Sequence, residues 1–448
     1  MTMRRHKYLI AVLLALALVA TACAEGDAET TTTAATGTTA APGTTAAPGT
    51  TEPSDVTADD FEAGDLGGIF IGPGEAVKIA TLQAISGANA SLGTDQVRAV
   101  KLALEDKGTI NGHEIRLAFE EDDLCRSEGG TIGSQRIVSD PDVVGVIGTS
   151  CSGAGVPASK IVTEANRVMI SGSNTSPVLT EAGGVAGPAW NEGYYRTAHN
   201  DAVQGAAAAK FVFEELGLTK VATINDGDPY TQGLTTAFEV NFEALGGEIV
   251  LSTAVGADDS DMRPVLTEVA AAGAELIFFP IFQPAGDFVA GQAKEVSGLE
   301  DVELMGADGL LSDTYVVLAQ TKGMYFSGPA VPPTAAYQDM IAAYEDRFGE
   351  APIQAFHAHA YDAAMILFAA IEKVAQVNGD AMFIDLRDVR DALYATDYQG
   401  LTGHVVCNEF GDCADPIIQI FQNTDDTPDI AAVRANRLAE YVPADLGQ

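Results

Sequence analysis

The chain has 448 residues, 47% of them hydrophobic, enough for two or three domains with sizeable cores. Acidic residues outnumber basic ones 63 to 24, a net charge of −39. That balance excludes nucleic acid as a partner, because phosphate binding needs clustered Lys and Arg, and it favours a self-repelling, hydrated surface.

Arg4, Arg5 and Lys7 precede an apolar run over residues 8–20. The run is too short for a membrane-spanning helix and reads as a signal peptide. It closes on Ala20-Thr21-Ala22-Cys23, similar to the bacterial lipoprotein cleavage box, although Leu is more usual where Ala20 stands. Residues 1–23 are therefore expected to be a lipoprotein signal, with Cys23 lipidated and holding the protein to the outer face of the membrane. Residues 24–75 read as a flexible linker. Thr, Ala, Pro and Gly dominate up to residue 60, and TTAAPG recurs at 38–43 and 44–49. Such a segment cannot bury enough apolar surface to fold. Residues 61–74 are transitional and show no clear element.

From residue 76 the pattern alternates. Strands are predicted over 77–85, 113–119, 143–147 and 168–170, and helices over 94–106 and 127–139, with a further helix between the last two strands. A Gly-rich loop over 181–195 holds Trp190, the single tryptophan. The alternation then restarts, with helices over 202–216, 230–245, 262–272, 284–296 and 312–319. The strands of this second unit fall at 221–225, 248–253, 276–280 and 302–306. Helices over 335–348, 357–377 and 386–394 follow, and residues 402–421 read as a final hairpin. Such βαβ alternation implies parallel sheets covered on both faces. Two similar units joined by a helical return predict two lobes around a cleft.

The most informative stretch is 143–177. Two apolar strands there end in small polar loops, 148–153 and 171–175. Loops of this kind at strand ends, with helix N-termini behind them, hold small polar or anionic ligands. With Cys23 lipidated, four cysteines remain, which allow three pairings. Cys407 and Cys413 flank a turn and are expected to pair locally, leaving Cys125 to Cys151. A zinc site is the weaker alternative, since the cysteines lack CxxC spacing. His357 and His359, two apart on a helix, make a poor metal pair. No nucleophile–base constellation is present to support an exported hydrolase, and neither metal nor cofactor is expected.

In order and spacing, the chain resembles the substrate-binding proteins of ABC importers for branched-chain amino acids, which have the type I periplasmic-binding fold. KIATLQAISG at 78–87, Glu121-Asp122-Asp123-Leu124-Cys125, Val146-Ile147-Gly148, Cys151-Ser152 and Pro157-Ala158-Ser159 carry the resemblance. So do Arg196-Thr197, Asp201, Gln204-Gly205, Tyr361-Asp362-Ala363 and Gly400-Leu401-Thr402-Gly403. It implies an α/β fold of two doubly wound parallel-sheet lobes joined by a multi-strand hinge. The lobes would be 76–199 plus 331–417, and 200–330 plus 418–448. It also implies a receptor that captures a small amino acid, has ABC permease subunits as partners and catalyses no reaction. Ser152 and Thr175 would bind the ligand carboxylate. The Ser173 carbonyl and Asp308 would hold the ammonium, with Tyr230 and Phe282 covering it. Asp308 stands where the family has Glu, Phe282 where it has Tyr, and Leu92 where the leucine binder has an aromatic. These departures loosen the inference about the ligand side chain. A urea, amide or aromatic acid ligand, or a sensor role on the same fold, is the competing reading.

Overall fold

Continuous apolar runs need a sheet covered on both faces, and Val143–Gly148 is such a run, with all six residues buried. The structure, a computed structural model, describes residues 56–427 and 429–447. The signal segment, Cys23 and the TTAAPG repeats lie outside the described residues.

The first sheet has six strands in the order Thr109–Ile110, His113–Asp122, Val77–Gln83, Val143–Gly148, Val168–Ser171 and Tyr194–Arg196. All pairings are parallel except that of Thr109–Ile110 at the edge. The residues of each strand divide between two cores. Ile79, Val144, Ile147 and Ile170 pack with helices Ala90–Lys107 and His357–Val374. Ala80, Leu82, Val146 and Met169 pack with Ser127–Val138 and Ser152–Glu164. This is the side-chain alternation of a strand, expressed as two apolar faces, with an irregularity opposite Lys78 and Ile79 that puts Val144 on the same face as Ile147.

The second sheet has seven strands, ordered Arg437–Tyr441, Ile418–Gln422, Tyr325–Pro329, Glu303–Gly306, Leu276–Phe278, Lys220–Asn225 and Glu248–Ala254. Its last five are parallel, and the first two run antiparallel at the edge. In both sheets the parallel strands follow one order, with the second strand of the unit outside the first, then the third, fourth and fifth. The first and third strands are neighbours whose connections leave in opposite directions, and loops at such a switch point form a crevice at the carboxyl ends.

Three differences from the sequence reading have physical causes. Residues 56–75 are not linker. Gly68–Ile71 pairs with Ala381–Asp385 in a separate three-stranded sheet, and Phe61 stacks on Phe383 with ring centroids 5.6 Å apart. The glycines that hid this strand are needed, since a Cβ at Gly68 would lie 2.1 Å from the Phe383 ring. Residues 402–421 do not form one hairpin. Asp397–Gln399 pairs with His404–Val406, and Ile418–Gln422 leaves to join the second sheet. The predicted helices also run too long. Asp201–Lys210 ends in a wider π turn over Phe211–Glu215, and Ser312 leads only into the short helix Asp313–Val316.

Cys125–Cys151 and Cys407–Cys413 are both disulfide-bonded. No helix among the described residues is long and apolar enough to cross a membrane. Arg196 is fully buried where the first sheet meets its crossover. It forms an ion pair with Asp412 and donates to the carbonyls of Asn174 (3.1 Å) and Ser176 (2.9 Å). Replacing Arg196 with Leu removes the charge that pairs Asp412, which keeps only the neutral donors Thr180 and Asn200, and leaves two carbonyls without the guanidinium. The expected loss in urea unfolding is about 3–5 kcal/mol; a loss below about 1 kcal/mol would show that this network is not needed for folding.

Candidate functional site

The two small polar loops of the first lobe are held by buried hydrogen bonds. Asp123, at the end of one strand, accepts the backbone N–H groups of Ser150 and Cys125, each at 2.6 Å. Burial pushes its carboxyl up to about 7, although these donors pull the other way. Ser150 Oγ donates to Gln83 Oε1 at 2.7 Å and accepts from Ala84 N–H at 2.9 Å. The second loop is laced to the first by Ser171 Oγ and Asn174 Nδ2, which both donate to the Thr149 carbonyl, at 2.7 and 2.9 Å. Ser173 Oγ donates to the Ser150 carbonyl at 2.8 Å. The Cys125–Cys151 bond ties the first loop to the end of strand His113–Asp122, across the intervening strand Val77–Gln83. Ser152 begins its helix; the Gly153 N–H is taken by Asp228 and those of Ala154 and Gly155 by the Cys151 carbonyl, which leaves the Ser152 N–H and hydroxyl at the cavity.

The second lobe supplies acceptors and rings. Asp228 caps helix Pro229–Ala244, accepting from Tyr230 N–H at 2.8 Å. Its carboxyl also lies against Gly153 at the start of the first-lobe helix, where a Cβ would come within 2.0 Å of Oδ2. Burial raises Asp228 to about 7, against the pull of the Tyr230 and Gly153 N–H groups. Asp308, just past strand Glu303–Gly306, accepts from Gln204 Nε2 (2.6 Å) and the Tyr230 hydroxyl (3.2 Å), both at Oδ1. Burial raises its carboxyl to about 6. Tyr230 and Phe282 lie with ring centroids 5.1 Å apart. Gly309 passes beneath them, where a Cβ would sit 3.1 Å from the Phe282 ring.

The two lobes meet directly. Ser176 Oγ donates to the Pro229 carbonyl at 2.7 Å, and Arg126 pairs with Asp258 at 2.6 Å. Between them Ser152, Ser173, Tyr230, Phe282, Asp308 and Leu92 border one cavity, together with Ser150 and Phe356. Its volume is about 10 Å³, room for about one water, so a solute enters only when the lobes part. Thr175 is not on this wall. It is buried beside Asp201, whose carboxyl is pushed well above the usual range by burial and by neighbouring Asp308. Trp190 donates to the Phe410 carbonyl at 3.0 Å, next to the Cys407–Cys413 loop rather than in the cleft.

Sequence reasoning missed Gln204, Ser150 and Phe356 as parts of the site. Gln204 lies inside an alanine-rich helix, and only its place four residues beyond Asn200, the helix cap, hints at a buried polar contact. One wall of the cavity thus offers N–H and hydroxyl donors, and the other a carboxylate and a phenol. The arrangement complements a small molecule carrying an anion at one end and a cation at the other.

Residues 76–411 match the family of periplasmic binding proteins. An amino acid binding protein of Pseudomonas aeruginosa is 32% identical over 241 residues, 53% of this chain but only 61% of that relative. The leucine-, isoleucine-, valine-, threonine- and alanine-binding protein of the same organism is 27% identical over 348 residues, 75% of this chain and 87% of the relative. A leucine-binding protein from Thermotoga maritima superposes with a TM-score of 0.70 at 21% identity, covering 83% of this chain and all of that one, which shows the fold.

Asp228 titrates near 3.9 in an unfolded chain and near 7 in this one. The folded state therefore holds this proton more tightly, so the contribution of Asp228 to stability is fully present below about pH 4 and is lost as pH rises towards 7. Asp228→Asn removes that penalty. Its unfolding free energy relative to the parent is expected to climb by a few kcal/mol, order of magnitude, between pH 4 and pH 7.5. Urea titrations at both pH values check it, and a difference that does not change with pH counts against a protonated, buried Asp228.

Proposed function

This chain belongs to the periplasmic binding protein family, and we propose that it captures a small amino acid, branched-chain or related, and hands it to the permease of an ABC importer. The family is one of binding proteins rather than enzymes, and it works outside the cytoplasmic membrane. The observation that carries the reading is the opposition across one cavity of the Ser152 helix N-terminus and the Asp308–Tyr230 pair. An α-carboxylate suits the first wall, since the Ser152 N–H, its hydroxyl and the helix dipole favour an anion. An α-ammonium suits the second, where it would return Asp308 to its charged form and pair with it. Leu92, Phe282 and Phe356 supply apolar wall for the side chain once the lobes have parted to admit it. The Pseudomonas aeruginosa relative named for binding leucine, isoleucine, valine, threonine and alanine supports the same class of ligand.

Ser173 contributes its carbonyl to the ammonium in this reading, and Thr175 acts from behind, through Asp201, rather than on the carboxylate. An aromatic acid lacking an amine would leave Asp308 facing it without a partner, which is costly in a closed cleft. Closure is a population shift, driven by a ligand that touches both lobes. Cys23 carries the lipid anchor, and the Thr/Ala/Pro/Gly segment after it is the tether that lets the lobes reach the permease.

Calorimetry with L-leucine, benzoate and urea tests this. Leucine is expected to bind. Ser152→Ala and Asp308→Asn should each weaken it by about 10- to 100-fold, the value of ~1.5–3 kcal/mol for a hydrogen bond to a charged group. Binding of benzoate or urea in place of leucine would overturn the amino-acid reading, and unchanged affinity in both variants would overturn the site.

A further inference from the structure

Three segments of chain cross between the sheets, at 197–200, 330–334 and 414–417. They enclose a second cavity, of about 130 Å³, separate from the cleft and close in size to an engineered apolar cavity of roughly 150 Å³ that holds benzene. Pro329, Pro332, Leu401 and Ile417 form much of its wall, and the exposed residues Pro333 and Asp415 stand at its mouth. His199 and His359 also line it. Both are buried, and the Nδ1 atom of each has no hydrogen-bond partner in the protein.

The hydrogen bonds around His199 define what its free nitrogen offers. The carbonyl of Ser327 can only accept, and Gln204 Nε2 lies 3.2 Å from it and 2.6 Å from Asp308 Oδ1. The amide of Gln204 is therefore oriented with its NH2 towards those oxygens and its Oε1 towards His199 Nε2. Because Oε1 only accepts, His199 carries its proton on Nε2, and Nδ1 is a bare lone pair. Burial holds the ring neutral by lowering it to about 4. The hydroxyls of Thr197 and Thr402 already donate, to the His359 carbonyl and to Asp362, and present only lone pairs as well. With Asp415 at the mouth, the cavity is rich in acceptors and has an apolar body.

We infer that the hinge cavity is a second binding site, for a small molecule with one hydrogen-bond donor on a compact apolar body, and that its occupancy tunes the cleft. The donor meets His199 Nδ1. His199 orients Gln204, and Gln204 holds Asp308 and, through it, Tyr230. The three enclosing segments are those that bend when the lobes rotate, so an occupant fits one hinge angle better than another. That differential affinity is what couples two sites. An anion is excluded, since the ring is neutral and the surroundings are acidic. The coupling rests on the cleft reading given above, whereas the cavity does not.

Phenol is the probe, a hydroxyl donor on a ring of suitable size. In the full chain with ¹⁵N-labelled histidine rings, the His199 resonances should show the Nε2–H form. Phenol should shift Nδ1 saturably, with leucine absent and with it present. Calorimetry should then show the leucine Kd changing by about five-fold or more at saturating phenol, and His199→Phe, which keeps a ring against Phe356, should abolish that change. An Nδ1–H tautomer or an unmoved Nδ1 would overturn the site without any variant. Phenol displaced competitively by leucine would place it in the cleft and overturn the site too. A leucine Kd unchanged by bound phenol, or one that responds equally in His199→Phe, would overturn the coupling. If leucine itself does not bind, the cleft reading fails, and the nitrogen shifts still decide the hinge site.

Discussion

A carboxylate taken out of water must be neutralised, paired or surrounded by donors, and this molecule takes four of them wholly or partly out of water around its cleft. Asp123, Asp201 and Asp308 are buried and Asp228 is half-buried with its carboxyl against Gly153, and the buried cation in their midst, Arg196, is committed to Asp412. Each carboxyl is handled differently. Asp123 spends its acceptors on the backbone of the first loop and so sets its shape. Asp228 crosses to the helix that begins at Ser152 and so depends on closure. Asp308 accepts at one oxygen from Gln204 and Tyr230, and an arriving cation would relieve the rest of its burial. Loop geometry and lobe contact thus follow from one constraint, and the charge of the proposed ligand answers to it.

The architecture makes that constraint useful. Both sheets use the same parallel order, so each has a switch point between its first and third strands. In the first sheet the loops there carry Ser150 and Ser152, and in the second they lead to Tyr230 and Phe282. The two crevices face each other and enclose one cavity. The strands carry no chemistry of their own; they hold small-residue loops to within hydrogen-bonding distance while the rest of each lobe stays apolar.

Much of this was legible in the chain. Alternating apolar strands and amphipathic helices declared two α/β units, because a covered parallel sheet leaves that signature at every strand. The loops at 148–153 and 171–175 stood out by their small polar residues, and Ser152, Ser173, Tyr230, Phe282 and Asp308 do meet at one cavity. Other features were hidden. Gly68–Ile71 was obscured by the glycines that let it pass Phe383, and Ile418–Gln422 lies in a different sheet from the hairpin before it. Thr175 followed the ligand loop in sequence, yet one peptide further along a tight turn its side chain faces Asp201.

Local sequence determined the elements, the two units, the exported chemistry of the cysteines and the character of the loops, since periodicity, turn residues and side-chain type act over a few residues. Tertiary structure alone decided which loops face each other. Asp308 is 156 residues from Ser152, and Gln204, part of the resemblance but assigned no contact from sequence, became the link between the hinge and the cleft. Hydrogen bonds and burial depend on distances in space, and no local pattern encodes which distant carbonyl, such as that of Ser327, orients an amide and through it the proton on His199.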